Sequence, residues 1–200
     1  MKDRIRLIDT TLRDGSHAMS HSFTREQVRN IAAGLDEAGV AIIEISHGDG
    51  IAGSSINYGF SETPDMELIE EAASVIKRAR LGALLIPGIG TIADMKEAYH
   101  RGVRAVRIAT HVTEADVSLQ HIKAAKSMGM FTAGFLMMVH MAKPEQILEQ
   151  ARLFEDAGAD YVNLADSAGY LLPDDVRRRV SLLTEKLSIP VGFHAHNNLG

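Results

Sequence analysis

The feature of this 200-residue sequence that most constrains its fold is a joint repeated along the chain, where an amphipathic helical stretch closes on glycine and an apolar strand pattern begins at once. It occurs at Gly39-Val40, Gly102-Val103, Gly129-Met130 and Gly158-Ala159. Glycine closes helices because it accepts the left-handed conformation adopted just past the last turn. Helix starts are as regular. Thr24-Arg25-Glu26-Gln27 reads as a capping box ahead of a face of Val28, Ile31, Ala32 and Leu35. Thr63-Pro64 opens a second helix with Ile69, Ala72, Ala73 and Ile76 on one face, and Thr91 opens a third. Further helices are expected over 114–128, 144–158 and 173–187. Strand patterns fall at Ile5, Leu7 and Ile8, then over 40–46, 81–86, 103–109, 131–138, 161–165 and 191–196.

Strands that alternate with helices return parallel to one another and build a sheet covered by helices. Seven strands in strict alternation, with no Gly-rich dinucleotide fingerprint after the first, predict an α/β fold of the (β/α)8 TIM-barrel type rather than an open doubly wound sheet. The expectation is one catalytic domain over 1–200, with seven of the eight strands and its C-terminal end incomplete. An open barrel edge would expose unpaired backbone groups, so a longer protein or a second chain is expected to complete it.

Bulk properties narrow the function. A formal charge of −5 and scattered basic residues, with Arg177-Arg178-Arg179 the only run, provide no field for nucleic acid. No apolar stretch approaches the roughly 20 residues that span a bilayer, and Met1-Lys2-Asp3-Arg4 leads into a strand pattern rather than a signal peptide, so a cytoplasmic protein is expected. The absence of cysteine leaves His and carboxylate as the metal ligands available.

Polar residues gather at the expected carboxyl ends of the strands: Arg13, Asp14, Glu44, His47, Thr110, His111, His140, Asp166, Ser167, His194 and His196. That is the end where barrel enzymes keep their sites. His194-Ala195-His196 places two imidazoles two residues apart, on one face of a strand. With Asp14 they make an N2O donor set with positions left open, suited to an octahedral ion such as Mn2+, Mg2+ or Co2+. Arg13 can hold a substrate carboxylate or enolate oxygen, or pair with Glu44, whose role is either to support Arg13 or to act directly. Gly15 is read as the residue that lets the backbone turn sharply here. His17 is placed to take a proton from a substrate hydroxyl, whereas His21 reads as a surface histidine. Ser167 can donate to a substrate carboxylate, and Asp166 can contribute to the site or cap the following turn. His111 and His140 suit structural roles better than contacts to substrate. The glycine-rich loop over 47–62 has the length of a lid or binding loop, and Met137-Met138 reads as core packing. Lys77, Lys96, Lys123, Lys126 and Lys186 fall on expected helices and Lys143 in a loop, which favours metal-stabilised enolate chemistry over a Schiff base.

Asp9-Thr10-Thr11-Leu12-Arg13-Asp14-Gly15 together with His194-Ala195-His196-Asn197-Asn198 resembles the metal-dependent lyase superfamily that includes isopropylmalate synthase and hydroxymethylglutaryl-CoA lyase. Within it, His47-Gly48-Asp49-Gly50, Asn57-Tyr58-Gly59-Phe60, Pro87-Gly88-Ile89-Gly90, the run from Thr110 through Val117 and Phe135-Leu136-Met137-Met138 resemble the 4-hydroxy-2-oxovalerate aldolase family. The resemblance implies a class II pyruvate aldolase: retro-aldol cleavage of 4-hydroxy-2-oxopentanoate to pyruvate and acetaldehyde, in the catabolism of aromatic hydrocarbons or steroids. It implies Mn2+ on Asp14, His194 and His196, Arg13 at the pyruvate enolate and His17 as the base at the 4-hydroxyl. It also implies an acylating acetaldehyde dehydrogenase as partner, fed by substrate channelling, and a C-terminal region continuing the family's barrel. Leu84 and Ile86 are candidates for the aldehyde pocket. The competing expectations are another lyase or acyl-CoA-dependent condensing enzyme of the superfamily, and a non-catalytic partner-binding scaffold.

Overall fold

A computed structural model describes residues 5–199, in two compact units with a boundary between Val106 and Arg107. The first unit carries β1 (Ile8–Asp9), α1 (Arg25–Glu37), β2 (Ile42–Glu44), α2 (Asp65–Val75), β3 (Arg80–Leu85) and α3 (Ile92–His100). β4 (Ala105–His111) straddles the boundary. The second unit carries α4 (Leu119–Ser127), β5 (Phe131–Met137), α5 (Pro144–Asp156), β6 (Tyr161–Ala165), α6 (Pro173–Lys186) and β7 (Val191–His194). The sheet order follows the chain, β1-β2-β3-β4-β5-β6-β7. Strands added one after another along the chain are the pattern of the (β/α)8 class, whereas a doubly wound sheet reverses its order at a switch point. The fold is therefore α/β of barrel type with seven strands among the described residues.

In the first unit β1, β2 and β3 pair in parallel, with Ile8 opposite Ile42 and Ile43 opposite Leu81. Ile43, Ile69, Leu85 and Met95 are fully buried between sheet and helices. The expected capping box forms, with Thr24 Oγ1 accepting from the Gln27 N–H at 3.2 Å while the Gln27 side chain accepts from the Thr24 N–H; at the start of the third helix Thr91 and Asp94 exchange the same bonds. The second helix starts later than expected, because Pro64 takes the cap position and Asp65 begins the helix. At the far end of α1 the Asp36 carboxylate accepts the N–H groups of Lys77, Arg78 and Ala79, tying that helix to the entrance of β3. Those three bonds hold its carboxyl below the usual carboxylate range, the Ala79 N–H contributing most.

In the second unit β5 pairs with β6 and β6 with β7, all in parallel. The Phe154 ring of α5 lies directly on Gly134 of β5, so close that an added Cβ would sit 2.0 Å from a ring carbon.

Several boundaries differ from expectation. The first strand is only two residues long, and Ile5 and Leu7 are 96% and 63% exposed. β1 pairs with β2 only through Ile8–Ile42 and Asp9–Ile43, so Ile5 and Leu7 lie ahead of the ladder. The fourth helix begins with a 3-10 turn, Ala115–Ser118, and becomes α-helical from Leu119. Met137 and Met138 are half-buried rather than core residues; Met138 takes a left-handed conformation, φ 59°, where the chain turns out of β5.

Candidate active site

Each polar residue expected at the carboxyl end of a strand is at or just beyond one. In the first unit the chain leaves β1 and winds into the 3-10 turn Asp14–Ser16, with the Thr10 carbonyl accepting from the N–H groups of Arg13, Asp14 and Gly15 at 3.0, 2.8 and 3.2 Å. Gly15 is not what permits this turn, because its φ is not positive and a Cβ there would meet only Thr11 Cγ2 at 3.9 Å. The sharp turn comes from one carbonyl that accepts three successive N–H groups, which any residue but proline can donate.

Arg13 is buried beneath this turn. Its Nε donates to Glu44 Oε2 at 2.8 Å, and its Nη1 donates to Asp14 Oδ1 at 2.8 Å and to the Gly48 carbonyl at 3.3 Å. Glu44, the last residue of β2, is 1% exposed and takes this bond from Arg13. Two buried opposite charges with good geometry fix the plane of the guanidinium. Among the described residues these bonds use Nε and Nη1, which leaves the Nη2 donors for an oxygen of a ligand.

His17 is exposed beyond the turn, and its ring rests on Gly48, where a Cβ would lie 2.4 Å from Cε1 and Nε2. The glycine is required by this close approach. His21 is not a solitary surface residue: it stacks on His47 with ring centroids 3.7 Å apart and lies 5.2 Å from the His17 ring. Burial lowers the pKa of both His21 and His47, and the neighbouring imidazoles lower His21 further, so both are neutral at pH 7. Their grouping was not legible in the sequence. The only signal was that the segments following two consecutive strands both carry histidine, His17 and His21 after β1 and His47 after β2.

The loop over 47–62 divides in character. Ile51 is fully buried and its N–H donates to the Leu84 carbonyl at 2.8 Å, whereas Ile56 and Phe60 are exposed. Its first part is thus packed onto the end of β3 and only its second part projects.

In the second unit His194 ends β7, and His196 lies two residues on, past the strand, so strand alternation does not place both. The rings still meet, 4.8 Å apart, with the His194 ring also 5.7 Å from Phe135. What orients His196 is a hydrogen bond from Nδ1 to the Asp166 carbonyl at 2.9 Å. A carbonyl only accepts, so Nδ1 donates this bond, and in the neutral ring the lone pair is then on Nε2. That is the tautomer of a metal-ligating histidine oriented by a backbone carbonyl. Asp166 caps the following turn through Oδ2, which accepts from the Leu171 N–H at 2.7 Å. Its Oδ1 lies 3.7 Å from His140 Nδ1, and these two atoms and Thr110 Oγ1 are buried without a hydrogen-bond partner among the described residues. Orphaned polar atoms at strand ends mark a place built for something more than packing. Ser167 Oγ accepts from the Met138 N–H at 3.0 Å, which leaves its own proton to donate. No lysine lies on a strand among the described residues; Lys77 falls just past α2 rather than on it. None of the described helices is long and apolar enough to cross a membrane.

Comparison with known proteins bears on the family and the fold. The sequence profile described as HMGL-like matches residues 4–200. Proteins named 4-hydroxy-2-oxovalerate aldolase are similar over nearly the whole chain. That of Thermomicrobium roseum is 66% identical over 195 residues, 98% of this chain and 55% of its own length. That of Moorella thermoacetica is 60% identical over 98% of this chain and 58% of its own length. The chain thus spans well under two thirds of these relatives. Among solved structures, the carboxyl transferase domain of Rhizobium etli pyruvate carboxylase matches with a TM-score of 0.83 at 16% identity, covering 98% of this chain and 36% of that one. This likeness bears on the fold alone.

Proposed function

Because the chain belongs to the HMGL-like family, we propose that it carries the divalent-metal-dependent cleavage of 4-hydroxy-2-oxopentanoate to pyruvate and acetaldehyde, as a carbon–carbon lyase of the class II pyruvate aldolase type. The observation that carries the reading is Arg13, a buried guanidinium held in plane by Glu44 with two donors to spare, beside the exposed imidazole of His17.

Asp14, His194 and His196 are the proposed metal ligands. The Nε2 lone pair of His196 suits this role, and an N2O set suits Mn2+, with Mg2+ or Co2+ as alternatives. An ion held there would supply Lewis-acid stabilisation of charge reaching the 2-oxo group. His17 takes the proton of the 4-hydroxyl. The C3–C4 bond then breaks as the oxygen forms the carbonyl of acetaldehyde, and the electron pair passes into the pyruvate enolate. Arg13 Nη2 donates to the enolate oxygen, Ser167 donates to the substrate carboxylate, and a proton returned to C3 gives pyruvate. Leu84, buried near the end of β3, and Ile86 beyond it line the aldehyde side.

The 200 residues form one catalytic barrel domain in this proposal, acting in the cytoplasm in the catabolism of aromatic hydrocarbons or steroids. An acylating acetaldehyde dehydrogenase receives the aldehyde by channelling. The test is chelator-sensitive release of pyruvate from 4-hydroxy-2-oxopentanoate, by this chain and by the chain extended with the C-terminal portion of the Thermomicrobium roseum relative. Restoration by Mn2+ is expected. Turnover only with acetyl-CoA would instead identify a condensing enzyme, and Mn2+ binding without turnover in either chain would reject the aldolase.

A further inference from the structure

His17 and His21 stand on the turns that follow β1, and Asp49 stands on the loop that follows β2. Each offers one ligand atom, and the three atoms lie within 4.8 Å of one another. The chain brings all three together. Six consecutive turn bonds wind the backbone from Asp14 to Ser22, and Ser20 and His21 both adopt positive φ, 49° and 57°, which swings the His21 ring back over the loop. That ring is then fixed from two sides, by the stack on His47 and by Ser16 Oγ at 2.7 Å from Nδ1. In the neutral tautomer whose Nδ1–H donates to Ser16, Nε2 keeps the lone pair. The ring of His17 presses on Gly48, the residue before Asp49, so no larger residue there would let the two approach. Asp49 is anchored by its own N–H, which donates to His47 Nδ1 at 3.1 Å, while its carboxylate stays partly open to solvent. His47 is fully buried below the stack and serves as its floor.

We propose that His17, His21 and Asp49 form a second divalent-cation site, separate from Asp14, His194 and His196, which takes Zn2+ in strong preference to Mg2+. Two imidazole nitrogens and one carboxylate are ligands for a borderline ion, and Zn2+ stands well above Mn2+ in affinity for such sets. The Ser16 hydroxyl supplies the oriented partner that metal-bound histidines ordinarily have. Occupancy takes the His17 lone pair, so an ion here switches off a base acting on a hydroxyl. That consequence rests on the role proposed for His17 above; the binding does not.

Equilibrium dialysis of the chain against Zn2+, followed by metal analysis, tests the site without reference to turnover. Two equivalents are expected for the parent and one for Asp49→Asn and for His21→Gln, each checked for folding by circular dichroism. Ser16→Ala is expected to weaken one equivalent by about 10- to 100-fold. Parent stoichiometry and affinity in both Asp49→Asn and His21→Gln overturn the proposal. So does a single equivalent in the parent that Asp14→Asn removes. In the Mn2+-supplemented assay, Zn2+ inhibition of pyruvate release is expected in the parent and absent in Asp49→Asn. A parent that releases no pyruvate yet loses one Zn2+ equivalent on Asp49→Asn supports the site while counting against the aldolase.

Discussion

Gly48→Ala moves one imidazole and nothing else. In the structure a Cβ at this position would stand 2.4 Å from His17 Cε1 and Nε2 and 2.7 Å from Cδ2, whereas ordinary contact begins at 3.4 Å. The ring must therefore retreat by about 1 Å, and a base misplaced by that distance costs on the order of 10²-fold in rate, about 2.7 kcal/mol in the barrier. The cost in stability runs the other way. The His17 ring is exposed and free to swing, the φ of Gly48 is not positive, and replacing glycine stabilises by roughly 0.4–1 kcal/mol through the unfolded chain. The expected result is a fall of about 10²-fold in kcat for pyruvate release, with Mn2+ saturating, and a melting temperature at or slightly above the parent's. His17→Ala should lose about 10²- to 10⁴-fold, and adding Gly48→Ala to it should cost nothing more, because both act through one side chain. A Gly48→Ala protein that turns over within about threefold of the parent would refute His17 as the base held in this position.

Arg13→Lys keeps the charge but not the planar fork and should lower kcat by about 10²- to 10³-fold with KM less affected, measured by the same pyruvate assay. Glu44→Ala leaves Arg13 buried without its main partner and should destabilise the chain by about 3–5 kcal/mol in urea denaturation. Gly134→Ala forces a methyl into the fully buried Phe154 ring; it should cost about 1–3 kcal/mol or more, and trimming the ring in Phe154→Leu should relieve part of that clash in a double-mutant cycle. The lowered pKa of Asp36 means that its stabilisation is fully present above the unfolded carboxylate value of about 3.9 and is lost as pH falls through the still lower folded value. The melting-temperature gap between parent and Asp36→Asn should accordingly be widest near neutrality and close below about pH 4; a gap that does not vary with pH would show that the charge is not what matters.

Most of the fold was legible because helix ends and strand starts are local events. Thr24 and Thr91 cap where their side chains reach the next turn, and the glycines at 39, 102, 129 and 158 all take positive φ. The first strand was overestimated because apolar Ile5 and Leu7 look buried in a linear pattern, while burial depends on what packs against them, and the ladder to β2 begins only at Ile8. The candidate site divides along the same line. Arg13, Asp14, His17, His194 and His196 could be named from residue type and from their position after strands.

Their working states could not be named that way. Glu44 as the support of Arg13, the Asp166 carbonyl that sets the His196 tautomer, Ser167 bound to the Met138 N–H, and the His17, His21 and Asp49 group all join residues on different strand ends or turns. Amino-acid order decides which chemistry is available and which element carries it, through capping, periodicity and backbone freedom acting over a few residues. Tertiary structure decides which nitrogen keeps its lone pair and which guanidinium edge stays open, because hydrogen bonds and charge pairs depend on distances between segments tens of residues apart in the chain.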